Sequence, residues 1–490
     1  MGGIAQRIPR GAVLLVVAAA ALPRLLALAI ERDDILEEYV EKSDTFAQTL
    51  VASGTFGFLP EVSSAYTQPL YAWFLAALYW PLERSWVVVG LAQIALAVVT
   101  ALLVLAIGRH LASVRIGVIA ALVTTLHPYL VWHDVHVNRE IVDQVLLAAL
   151  VLLALLAHDR RSTWLGLAAG AVAGLAVLSN ARLVLLPLVI APFAAWRVRP
   201  GRRAVVIGLL VVVASAAVVA PWVARNKAVI GCATITTDTR ALWKANNPAT
   251  YGVLANGGWI DDVPDLPGVP PWPEKAASIS VEAAKAVDEC AQASFYRGEV
   301  LDFWRDEPGE KAKLAAQAVW MLWSPVLSVE ADDEAQQGAA DIAQRTIEPT
   351  FVLALYLLAF WGAWMAPRRF VVLAVALLAY NTLAAMVFAG TARYRTPWDF
   401  LLALLAAFAL ASAWERIQRR RHRHYVGAAA TRPVAVADAR PARAHVGRVQ
   451  GVLRRLRQGW QRADAGRGQP AGVSALGDHE RGQVAGRCGN

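Results

Sequence analysis

Four clusters of residues have types and spacings that suit chemistry. Asp44 stands in Ser43-Asp44-Thr45-Phe46, ahead of a short run that closes on Ser53-Gly54-Thr55-Phe56. A carboxylate there could take a proton from a hydroxyl about 3 Å away, or simply cap the helix that follows. Asp33 and Asp34 are the alternative acids, without the Gly-Thr-Phe pattern behind them. His133, Asp134, His136, Asn138 and Glu140 fall within eight residues. His133, His136 and Glu140 are ligand types for a divalent cation, while Asn138 and Glu140 equally suit a helix start. Arg393 and Arg395 flank Tyr394. Guanidinium groups grip phosphate through paired hydrogen bonds, although arginines also snorkel to a membrane interface. Arg225 with Lys227, then Arg182, are further phosphate candidates. Trp243, Asn246 and Asn247 could stack on and hydrogen-bond a sugar, but Asn246-Asn247-Pro248 is also a turn signal.

The elements that must position these groups are apolar. Of 490 residues, 57% are hydrophobic and 17% charged, and mean hydropathy is +0.44. A soluble domain of this length needs more charge to cover its surface. The apolar residues fall in blocks that read as spanning helices, at 11–30, 85–108, 115–133, 139–157, 163–179, 182–196, 203–223, 348–366, 370–390 and 397–414. Residues 163–196 as one helix would be about 51 Å long, beyond a ~30 Å core, so a break at Ser179-Asn180 is expected. The 14-residue stretch Pro69–Leu82 suits a helix lying in the interface. With it not crossing, Arg7/Arg10, Arg109/Arg115, Arg160/Arg161, Arg197/Arg199/Arg202/Arg203 and Arg368/Arg369 share one side, the cytoplasm by the positive-inside rule. Both termini then lie inside.

Two polar loops face outward on this topology. Residues 31–68 carry eight acids against two bases. Residues 225–347 are long enough for a mostly helical subdomain, with helices expected over Pro273–Val300 and Glu310–Leu322 and irregular chain over Asp261–Pro273. The organisation expected is an N-terminal membrane module at 1–224, the 225–347 loop subdomain, membrane helices over 348–414, and a tail at 415–490. That tail holds 16 arginines and five acids. Net charge of +9 therefore belongs to the tail, which has no fold that reads bases, and nucleic acid is not an expected partner. Past Tyr425 the tail is expected to be disordered, with a short basic helix at Gly451–Arg462. Cys232 and Cys290 share the long loop: a bridge between them and two separate thiols both remain open.

No Walker loop, GxGxxG or zinc spacing occurs, and no soluble domain is large enough for a nucleotide-sugar transferase. An enzyme on the outer face would need a donor carried by lipid. The chain resembles the GT-C superfamily of membrane glycosyltransferases, in the branch of protein O-mannosyltransferases and aminoarabinose-lipid A transferases. The likeness runs over most of 11–414 in six ordered motifs: the Asp44 stretch, Gln68-Pro69-Leu70-Tyr71, His127-Pro128 through Glu140, Pro221-Trp222-Val223-Ala224-Arg225-Asn226, Asn246-Asn247-Pro248, and Arg393-Tyr394-Arg395-Thr396-Pro397. The resemblance implies an all-α integral membrane fold of GT-C type, with about ten transmembrane helices and interfacial helices. It implies inverting transfer of a sugar from a polyprenyl-phosphate donor to a glycan, lipid or protein acceptor outside the membrane. It places Asp44 as the base and Glu140 as an assisting carboxylate, while guanidinium chemistry puts Arg393, Arg395 and Arg225, with the flanked Tyr394, at the donor phosphate. His136, Asn246 and Asn247 would meet substrate, and a divalent cation is a possible cofactor. The competing class is a transporter or lipid flippase, which should carry ionisable or broken-helix residues near mid-bilayer.

Overall fold

The computed structural model describes residues 8–38, 40–196, 201–325 and 346–430. The first ten helices are α1 (Arg10–Glu31), α2 (Ser43–Ser53), α3 (Pro69–Leu82), α4 (Trp86–Leu111), α5 (Val114–Thr125), α6 (Pro128–His133), α7 (Glu140–Arg160), α8 (Thr163–Ser179), α9 (Leu186–Ala195) and α10 (Arg202–Val229). Shorter helices follow: α11 (Arg240–Lys244), α12 (Thr250–Ala255), α13 (Pro273–Ile279), α14 (Val281–Lys285), α15 (Glu289–Asp306) and α16 (Pro308–Trp323). The series ends with α17 (Glu348–Ala363), α18 (Arg368–Val387), α19 (Ala392–Arg395) and α20 (Asp399–Ala430). Among the described residues the only bridge pairing is the isolated Leu59–Val62 contact. The protein is an all-α, multi-pass membrane protein.

Among the described residues six helical segments are long and apolar enough to cross a bilayer: Arg10–Leu36, Trp86–Leu111, Glu140–Arg160, Arg202–Val229, Arg368–Val387 and Ala392–Arg419. Four shorter apolar helices, Val114–Thr125, Thr163–Ser179, Ala181–Ala195 and Glu348–Ala363, occupy the other four expected positions. The stretch read as one span over 115–133 is corrected to two helices. α5 ends at Thr125, His127 turns to extended backbone (φ −60°, ψ 120°), and Pro128 opens α6. Proline has no N–H to continue the ladder and disfavours helical backbone in the residue before it. The expected break after Ser179 is present, with Asn180 extended and its side chain accepting from the Arg182 N–H.

α7 sits at the centre of the bundle. Two thirds of its apolar window is buried (67%), against 22% for α1 and α10. Small residues allow close approach where α8 crosses α10: a Cβ at Gly170 would lie 2.3 Å from the Val211 carbonyl oxygen. The two ends of α7 are about 30 Å apart and differ in chemistry. At its C-terminal end His110 Nε2 lies 2.8 Å from Asp159, which also takes Arg369. Its N-terminal end carries Glu140.

The helix expected over Pro273–Val300 is three pieces, α13, α14 and the first part of α15. Ser280 and Asp288 adopt extended backbone and accept from Ala283 N–H and Ala291 N–H as N-caps, local bonds that compete with a continuous helix. Cys232 and Cys290 form a disulfide, with Cα atoms 5.9 Å apart. Next to it, the Glu289 carboxylate accepts from the Ala65 N–H at 3.0 Å and the Thr237 hydroxyl at 2.7 Å. Thr237 N–H donates to Ala65 C=O, and Arg225 donates to Ser64 C=O. Residues 64–66 are thus held by α10 and the chain around α15. Replacing both cysteines with serine is expected to lower stability by about 2–4 kcal/mol, measured by denaturant titration in detergent. The matching peptides should run joined in non-reducing mass spectrometry and separate after reduction.

α20 continues past Tyr425 to Ala430. The expected Gly451–Arg462 helix and the rest of the tail lie outside the described residues.

Candidate active site

α2 places Asp44 in its first turn and ends at Gly54, whose positive φ of 75° is the left-handed cap that glycine adopts without cost. Asp44 is buried, and three side chains meet it. The Tyr79 hydroxyl donates to Oδ1. Gln48 Nε2 donates to Oδ2 at 2.8 Å, and Arg84 Nη2 to Oδ2 at 2.9 Å. Tyr79 comes from α3, so the short helix between two membrane segments sets the carboxylate's orientation. Burial, then the Asp44 charge, push the Tyr79 phenol above its ordinary range, so it stays a donor to the carboxylate. Arg84 remains about a third exposed (31%) and, like the exposed Gln48, can swing into solvent.

One helical turn away is a second charged cluster. The Asp44 N–H donates to Glu41 C=O, and Glu41 N–H donates to Val137 C=O, at 2.9 and 3.2 Å. Arg393 reaches in from α19 and joins three segments. Its Nε donates to Glu140 Oε1 at 2.7 Å, and its Nη2 donates to Glu41 Oε1 at 3.0 Å and Asn138 Oδ1 at 2.9 Å. Arg139 stands beside it, 3.3 Å from Gln68 Oε1 and 3.8 Å from Glu41. His133 Nε2 lies 3.6 Å from Glu140 Oε2. Glu140 is buried at the start of α7, where a carboxylate also complements the helix dipole.

Behind Glu140 a small polar cavity of about 20 Å³ is lined by Glu140, Asp143, Asn180, Arg182, Asn381 and Tyr394, enough for about one water. Arg182 lies over the Tyr394 ring at 4.0 Å and donates to Ala389 C=O at 2.7 Å.

Other candidates lie elsewhere. Arg395 is fully buried and binds Asp399 and the carbonyls of Leu322 and Ser324. Its guanidinium ties α19 and α20 to the end of α16 and does not stand beside Arg393's partners. Asn246 is fully buried, donating to Leu242 and Val387 carbonyls and accepting from Trp304 and Lys311. Asn247 binds the carbonyls of Trp243 and Lys244 and accepts from Ala249 N–H. Both amides close turns of the protein instead of facing a ligand. Arg225 holds backbone oxygens of Ser64 and Phe56 and lies over the Trp222 ring at 4.9 Å.

His136 is buried against Trp132, whose carbonyl is 3.0 Å from Nδ1. Burial lowers its pKa to about 4, so the ring is neutral at neutral pH. Among the described residues no three His, Cys, Asp or Glu side chains converge as a metal site. His133 faces Glu140, whereas His136 faces Glu31 at 3.7 Å, so the three suggested ligands diverge.

Sequence reasoning passed over Arg84 and Arg139 and counted Glu41 only as one acid among eight. Their partners lie 40, 71 and 352 residues away, so no local spacing announces them.

Residues 66–224 match the family model described as dolichyl-phosphate-mannose-protein mannosyltransferase. The segment carries Tyr79, Arg84, Asn138, Arg139 and Glu140. Solved structures are also similar to the chain, at low identity. Crystalline ArnT from Cupriavidus metallidurans bound to undecaprenyl phosphate shares 16% identity, with 82% of this chain and 78% of that one covered at a TM-score of 0.41. The archaeal oligosaccharyltransferase AglB from Archaeoglobus fulgidus, in complex with an inhibitory peptide and a dolichol-phosphate, shares 14% identity over 91% of this chain and 54% of that one, at 0.48. No curated protein matches the sequence.

Proposed function

We propose that the protein transfers one sugar from a polyprenyl-phosphate donor to an acceptor at the extracytoplasmic face, with inversion at the anomeric carbon. The observation that carries this reading is the meeting of Asp44, Glu41, Glu140 and Arg393 at one end of the bundle, built around a segment that matches a lipid-phosphate-sugar transferase family.

In the proposed step an acceptor hydroxyl replaces Arg84 at Asp44 and gives its proton to the carboxylate. The hydroxyl oxygen bonds to the anomeric carbon while the bond from that carbon to the phosphate oxygen breaks. The electron pair leaves with the lipid phosphate, whose charge Arg393 stabilises by charge-assisted hydrogen bonds. Tyr394 lies beside it, and Glu140 orients Arg393. A single base suffices because the attack is direct.

The arginine bias of the sequence supports an exterior 31–68 and 225–347 with both termini inside. So does the Cys232–Cys290 disulfide, since such bonds persist in oxidising compartments. Buried ionisable groups lie near the Glu140 end of the bundle: Arg24 pairs with Asp134 at 2.7 Å, and Asp143 is one turn below Glu140. That placement suits chemistry at a membrane surface better than a mid-bilayer transport path.

The test is to incubate the purified protein in lipid with a panel of polyprenyl-phosphate sugars and an envelope extract as acceptor. One donor should be consumed, and NMR of the product should show the opposite anomer. Consumption of none of the donors, or retention of configuration, would overturn the reading.

A further inference from the structure

Lys311 lies outside the charged cluster, yet it bonds to the helix that leads into it. It sits in the first turn of α16, and its Nζ donates to Asn246 Oδ1 at 2.5 Å and to Met386 C=O at 2.6 Å. The ammonium also lies 5.0 Å from the Trp304 ring centroid. Asn246 Nδ2 in turn donates to Val387 C=O at 2.8 Å. Met386 and Val387 end α18, where carbonyls lack intrahelical donors and the helix dipole is negative. A cation and an amide therefore close that end together.

The chain from there to Arg393 is short and tightly fitted. Ala389 C=O takes Arg182, and Gly390 admits no side chain, since a Cβ would lie 1.8 Å from the Ala318 carbonyl oxygen of α16. α16 thus supports the connection at two points.

We propose that Lys311 is a positioning residue: capping α18 with Asn246, it fixes the turn that presents Arg393 to Glu41, Asn138 and Glu140. This rests on the reading of Arg393 as the donor-phosphate ligand.

No ion pair among the described residues reaches Lys311. Glu310 pairs with Lys313, Arg305 with Asp302, and Arg240 and Lys244 with Asp265. Burial alone lowers its pKa from 10.5 to about 8. Above that pH the neutral amine holds the same oxygens without charge assistance, roughly half as strongly. The folded pKa lies below the unfolded one. The unfolded chain therefore binds more protons between about 8 and 10.5, and Lys311 makes the fold more stable as pH rises through that window. Loss of activity there would come without unfolding.

The experiment uses the full chain in lipid, with kcat/KM for sugar transfer measured between about pH 6.5 and 10. Wild type should fall about tenfold through a midpoint near pH 8. Lys311→Arg, which keeps its charge, should lose that limb, and Lys311→Met should be about tenfold slower already at pH 7. Hydrogen exchange at pH 7 should be faster over residues 386–393 in Lys311→Met and unchanged in α7. A limb shared by wild type and Lys311→Arg, or unaltered exchange over 386–393 in Lys311→Met, would overturn the positioning role. Failure of wild type to transfer from any donor would overturn the functional reading instead, and the exchange comparison would still decide on Lys311.

Discussion

Asparagine at position 44 is expected to lower kcat by about 10²- to 10⁴-fold with little change in donor affinity. The exchange keeps the shape of the side chain, so the Tyr79 hydroxyl retains its acceptor. What goes is the group able to take the acceptor's proton. Arg84 loses its ion partner, but it is partly exposed and such a pair is worth about 1 kcal/mol at most. The melting temperature should therefore move by only a few degrees. Asp34→Asn, on the same acidic stretch, should stay within about twofold of wild type, since surface charges away from the chemistry change little. Full turnover by Asp44→Asn in single-turnover assays would remove the residue from the mechanism.

Arg393 carries the second large effect, and it needs a variant chosen with care. Arg393→Ala would leave Glu41 and Glu140 beside each other in a buried site with no opposing guanidinium from α19. Stranding a buried charge costs about 3–5 kcal/mol, so a dead protein could be an unfolded one. Arg393→Lys keeps the charge and loses the planar fork that meets Glu140, Glu41 and Asn138 together. This variant should fold, bind donor more weakly, and lose about 10²- to 10³-fold in kcat/KM, the scale of removing a group that stabilises developing negative charge. Equilibrium binding of a non-transferable polyprenyl phosphate separates the two effects. Unchanged affinity and unchanged kcat/KM in Arg393→Lys would exclude a phosphate role.

The parts legible in the sequence were those set by local physics. Pro69 and the apolar aromatic run behind it gave the bounds of α3, and Gly54 marked the end of α2. Ser179-Asn180 gave the break in a stretch too long for the membrane. The same logic applied to His127-Pro128 would have split the 115–133 segment, but its hydropathy dominated the reading. Long-range pairing was not legible. Arg393 is legible as a phosphate-gripping guanidinium beside Tyr394, but its acidic partners are brought to it by helix packing alone. Asn246-Asn247 shows how little residue type says about orientation. Their types suit a sugar, yet packing turned them inward to close the ends of α11 and α18. Arg395, two residues from Arg393, ended on the opposite side of a four-residue helix turn with Asp399. A motif fixes residue types; only the bundle decides which of them share a face.

The Arg393 bridge also constrains how the protein is made. Glu41 is translated 352 residues before the guanidinium it meets, a delay of roughly 20–70 s at ordinary ribosome speeds. Throughout that interval α1 to α10 can insert and pack while Glu41 and Glu140 still lack their arginine. The charged centre is therefore among the last features to close during biogenesis, and a chain halted before α19 would hold an assembled scaffold in which Arg139 alone faces Glu41 and the acidic pocket is one guanidinium short.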